Sequence, residues 1–152
     1  MQQAVKAAAP WHLWVVGIVS LLWNGFGGYD YIMSQTGNLA YLSQMEGSMG
    51  VTAKEAIAYF ESFPLWVEFG WGLGVWGSIA GSILLLFRSR FALHAFVASL
   101  IGLLAAMPWQ FANPLPGMTD SPVMAIMTVV ITVIILFLAW YSRAMMRRGV
   151  LR

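Results

Sequence analysis

The chain has 152 residues, of which 60% are hydrophobic and only 9% charged, against roughly 25% charged in an ordinary soluble domain. So short a chain cannot hide that much apolar surface from water, which excludes a conventional soluble fold and leaves lipid as the solvent. It has no cysteine, two histidines and a net charge of +2, which excludes disulfides, thiolate metal sites and a broad nucleic-acid footprint.

The first long apolar stretch runs from about Trp11 to Tyr31. It exceeds a secretory h-region and no small-residue cleavage site closes it, so it is expected to be retained. Ser20, Asn24, Gly27 or Gly28, and Tyr31 share one of its faces, with Asn24 the one strongly polar side chain well inside. A long connection follows, from about Ser34 to Pro64. Leu39, Leu42 and Met45 mark a short helix there. Thr52 followed by Glu55 is a capping box. Ala53, Ala56, Ile57, Phe60 and Phe63 then repeat at three and four residues, which predicts an amphipathic helix lying flat on the outer surface.

A second stretch, Leu65 to Phe87, has no charge after Glu68. Gly70, Gly74, Ser78 and Ser82 recur at every fourth position, and Gly77 and Gly81 form another such pair. Small residues at this spacing let helix backbones approach closely in lipid. They define either an internal packing face or a docking face, so a leucine at Gly74 or Gly77 should be disruptive, whereas Leu85→Ala should matter little. A third stretch spans Phe91 to Met107, ending or kinking at Pro108. The connection from Trp109 to Pro122 is rich in proline. The fourth stretch, Val123 to Tyr141, has the β-branched run of a strand but the length of a lipid-embedded helix.

Charge placement orients these elements. Lys6, Arg88, Arg90, Arg143, Arg147, Arg148 and Arg152 flank them at alternate ends, and all six acids lie with Lys54 in or beside the other connections. Cytoplasmic segments collect Lys and Arg. The expectation is an all-α, single-domain bundle of four transmembrane helices, N-in and C-in, in a bacterial inner membrane, with an interfacial helix in its first outside loop.

Asn24, Asp30 and Glu68 form a candidate polar site in the outer half, because ionisable groups in a membrane are costly and mark sites. His12 and His94 each start an inward-anchored helix and could clamp a haem or other tetrapyrrole. No cofactor is otherwise expected, nor a metal. No phosphate loop, zinc-helix motif or serine elbow is present. The reading is a non-enzymatic accessory or interaction subunit of a larger respiratory, photosynthetic or transport complex. Its partners would be membrane lipids together with other transmembrane subunits or a second copy. The alternative is a small-solute or proton-coupled transporter using the polar site.

Three segments carry a family resemblance. They are Pro10-Trp11-His12-Leu13-Trp14 through Trp23-Asn24, then Tyr29-Asp30-Tyr31 with Gln35-Thr36, and Tyr59 to Arg90. The last includes Phe63-Pro64, Gly72-Leu73-Gly74-Val75-Trp76-Gly77, Gly81-Ser82 and Arg88-Ser89-Arg90. Over the first two thirds of the chain they resemble small, uncharacterised four-helix bacterial inner-membrane proteins often labelled "sugar transporter". The resemblance implies four helices and carries no functional residues.

Overall fold

The computed structural model describes residues 8–118 and 122–152. Lys6 lies outside the described residues. The described chain forms six helices: α1 (Trp11–Gln35), α2 (Leu39–Met49), α3 (Ala53–Glu61), α4 (Leu65–Leu86), α5 (Phe91–Ala112) and α6 (Val123–Arg147).

Three of these, α4, α5 and α6, are long and apolar enough to cross a membrane. This corrects the expected four-transmembrane bundle, and with it the resemblance to four-helix membrane proteins. The helix that drops out is α1. It has 25 residues, but His12, Asn24, Asp30, Ser34, Gln35 and its glycines dilute its apolar content below that of the other three. Three apolar helices of this length are consistent with a multi-pass, lipid-embedded protein.

The tightest packing joins α4 to α5. A Cβ placed on Gly102 would sit 2.5 Å from the Gly70 carbonyl oxygen and 2.7 Å from the Gly74 nitrogen. Only glycine allows such an approach of two backbones. Farther along the crossing, Gly77 faces Ala95 and Ser99, and Gly81 faces the Phe96 ring. The Ser99 hydroxyl donates to the Gly74 carbonyl. The turn between the two helices closes at Arg88, whose φ of 59° is left-handed. Its N–H reaches the Leu85 carbonyl and that of Ser89 reaches the Leu84 carbonyl, a helix ending usually made with glycine.

Helix α1 runs antiparallel along α4. Gly17 meets Leu86, Gly28 meets Ile79, and Gly72 of α4 admits the Tyr31 hydroxyl. From Leu13 to Gly28 the residues α1 buries, Leu13, Gly17, Ser20, Asn24 and Gly28, keep the three-and-four spacing of one helix face, and Ser34 is buried near its end. Helix α5 continues through Pro108 to Ala112, one turn past the expected stop, and α6 runs on to Arg147.

At the arginine-rich end, Leu13, Leu85, Ala92, Phe96, Leu138, Tyr141, Met145, Val150 and Leu151 form one buried core. Leu85 is fully buried within it, which corrects the expectation that its loss is harmless. The C-terminal residues are pinned there by paired backbone bonds: Arg90 N–H to the Arg152 carbonyl and Arg152 N–H to the Arg88 carbonyl, both 2.8 Å.

At the other end, α3 begins at its capping box, Thr52 Oγ1 accepting from the Glu55 N–H and Glu55 Oε2 from the Thr52 N–H. Its apolar face does not lie free as an interfacial helix would. Ala56 packs with Leu42 and Val51 and with Leu115 and Met118 of the second connection. Phe60 stacks on Trp71 at 5.3 Å and Phe63 meets Trp109 at 5.0 Å. Helices α2 and α3 therefore form a cap with its own small core.

Candidate functional site

The site follows from how α1 and α6 diverge. They meet at the arginine end, where His12 Nδ1 lies 2.6 Å from the Tyr141 hydroxyl and Leu13 shares the core with Leu138 and Tyr141. Toward the capped end the helices separate around a cavity of about 890 Å³, within the size range of small-molecule sites. Helix α1 lines it with Trp23, Asn24, Phe26, Gly27, Tyr29 and Asp30, and α2 contributes Tyr41 and Gln44. Helix α4 contributes Trp71, Gly74, Val75 and Ser78. Leu103, Ala106, Met107 and Gln110 line it from α5, and Met127, Thr128, Ile131 and Ile135 from α6.

The three residues of the candidate polar site are held separately. Asn24 is buried and its Nδ2 donates to Ser82 Oγ at 2.9 Å and to the Ser78 carbonyl at 3.3 Å. It ties α1 to α4 at the cavity floor. Asp30 accepts a 2.6 Å hydrogen bond from the Tyr41 hydroxyl, and among the described residues no Lys or Arg pairs with it. Glu68 does not line the cavity. It accepts from Gln35 Nε2 at 3.4 Å, on the part of α4 where Tyr31 packs on Trp71 at 4.6 Å. Asn24 and Asp30 thus share one cavity and Glu68 belongs to a neighbouring polar contact.

Burial and the hydrogen bond to the Asp30 carboxylate push the Tyr41 phenol well above its ordinary range. Tyr41 also meets the Tyr29 ring edge-on at 5.5 Å, so the cavity is lined by a tyrosine pair, one member of which donates to the carboxylate. In α4, Gly70, Gly74, Gly77 and Gly81 face α5, while Ser78 and Ser82 take the hydrogen bonds of Asn24. His12 is engaged by Tyr141, whereas His94 is exposed beside Phe91. The two histidines have separate partners. Among the described residues, no group of three or more His, Cys, Asp or Glu is placed to hold a metal ion.

Sequence reasoning missed Tyr41, Gln44, Trp71, Gln110 and Thr128. Thr128 and Thr132, one turn apart in an otherwise apolar run, were a usable signal for a polar face on α6. Tyr41 and Gln44 gave none, because their role depends on α2 folding back over the bundle. No protein-family model, curated protein or solved structure matches the chain.

Proposed function

We propose that this is a non-catalytic membrane protein that binds a small amphipathic solute in the cavity between α1, α4, α5 and α6 and carries it between lipid and water. The observation behind this reading is a roomy, mainly apolar cavity with a few convergent polar groups, the usual form of a small-molecule site. Asn24, Asp30, Tyr41, Ser78, Gln110 and Thr128 supply that polarity. The arginine end is assigned to the cytoplasm, in a bacterial inner membrane, because Lys and Arg accumulate on that side.

The test uses an uncharged naphthalene dye that brightens in apolar surroundings. Purified protein should bind it saturably at one site, and Ile131→Trp, which fills the cavity, should weaken binding at least about tenfold. Binding that Ile131→Trp leaves intact contradicts the reading.

A second reading is an accessory or interaction subunit of a larger membrane complex. It draws on α6, whose apolar stretch is only 11% buried, against 39% for α4. A partner helix would cover Val129, Val133 and Leu136. Mild-detergent purification with mass spectrometry favours this reading if a stoichiometric second polypeptide co-purifies.

A further inference from the structure

We propose that the solute is an amphipathic organic cation, with its ammonium at Asp30 and its apolar body in the cavity below; this rests on the cavity being the binding site. Three observations combine. The first is charge. Asp30 lines the cavity, its partner is the neutral Tyr41 hydroxyl, and no Lys or Arg of the described residues offsets it. The capped end of the molecule also carries Glu46, Glu55, Glu61 and Glu68, with Lys54 as its one basic residue among those described. Asp30 is part-buried at the cavity, so a bound cation there gains a Coulomb attraction for which no Lys or Arg of the described residues competes.

The second is ring chemistry. Trp23, Phe26, Tyr29, Tyr41 and Trp71 all line this cavity. Aromatic faces attract quaternary and protonated amines, most strongly where water is excluded. The Tyr29 and Tyr41 rings meet edge-on at 5.5 Å, and the second of them donates to Asp30, so rings and carboxylate sit together at the rim.

The third is the rest of the cavity. Leu103, Ala106, Met107, Ile131 and Ile135 line it from α5 and α6. These side chains suit a hydrocarbon or aromatic body, and Gln110 and Thr128 are the uncharged polar side chains that the same two helices add. An anionic solute would meet Asp30 with no counter-charge.

The experiment compares two probes on the intact chain in lipid nanodiscs. One is a naphthalene bearing a trimethylammonium group and the other is its tert-butyl isostere, matched in shape and lacking the charge. The cation should bind about tenfold more tightly than the isostere. Asp30→Asn should remove that preference and Asp30→Glu should keep it. Ile131→Trp should weaken both probes. Equal affinity of the two probes for the wild-type protein, or a preference that survives Asp30→Asn, overturns the proposal while leaving the cavity as a site. Failure of both probes to bind, or binding indifferent to Ile131→Trp, overturns the cavity reading instead. Tyr41→Phe keeps the ring and removes the hydroxyl. It should retain the preference, and serves as the folded comparison if Asp30→Asn loses its thermal transition.

Discussion

The two ends of this helical protein are built from similar apolar residues but put them to different use. At the arginine end, α1, α4, α5, α6 and the C-terminal tail converge on one core, with Leu13, Leu85 and Phe96 fully buried and the tail bonded to the α4–α5 turn. At the acidic end the same long helices splay, a separate cap sits above them, and about 890 Å³ is left between them. The difference comes from side-chain size and partner. Where α1 meets α6, a histidine and a tyrosine close the gap. Where they part, α1 presents Gly27 toward the space and the facing side chains of α6 do not reach across it. One end is therefore a closed core and the other encloses a cavity.

The largest effect should come from the crossing that both ends share. Gly102→Leu would drive a side chain into the Gly70 and Gly74 backbone, and should cost roughly 3 kcal/mol or more. Thermal unfolding in detergent should show the α4–α5 pair failing as a whole. Next comes the contrast between ends. Leu85→Ala removes a fully buried side chain from the closed core and should cost about 2–5 kcal/mol. Leu103→Ala enlarges a space that already exists, and should cost under about 1 kcal/mol by the same measurement. Equal losses would mean that the two ends are packed alike.

Smaller again is Asn24→Ala. Hydrogen bonds between helices in lipid contribute about 0.6 kcal/mol on average and up to roughly 2, so this loss should lie in that range. Asn24→Ala combined with Ser82→Ala should add less than the sum of the two, because they share one bond. The smallest effect is alkaline. The Tyr41 phenol is raised above its ordinary 10.0 by burial and by Asp30, so the folded cap holds this proton more tightly than the unfolded chain does. That contribution is complete below pH 10.0 and is lost as pH rises through the higher folded value. Helix α2 should loosen in this window before the long helices do, as hydrogen exchange would report. Tyr41→Phe should abolish that early step.

The sequence announced parts of this architecture and hid others for definite reasons. Every-fourth-residue glycines in α4 signalled a close helix contact, and the matching small residues Ser99, Gly102 and Ala106 of α5 were there to be paired with them. Spacing alone cannot say which helix sits opposite, so the choice between an internal and an external partner needed three dimensions. Thr52 and Glu55 signalled the start of α3 because a capping box is local. The burial of its apolar face was not local: Leu115 and Met118, more than fifty positions away, cover it. Asn24 and Asp30 were visible as costly groups in an apolar run. The cavity between them was invisible, because it depends on the angle at which α1 and α6 diverge and not on any one residue. The count of apolar spans failed at α1 because length was weighed more heavily than its polar content.

The most direct test of the closed and open ends uses the absence of native cysteine from the chain. Single cysteines at Met107 and Ile131, which line the cavity and are only partly buried, and at Leu138 and Met145, in the closed core, are treated with a small membrane-permeant maleimide in the native lipid. Modification of the first pair at least about tenfold faster than the second, with the naphthalene dye slowing only the first, is the predicted result. Equal rates at all four positions, or faster reaction at Leu138 and Met145, would contradict the account.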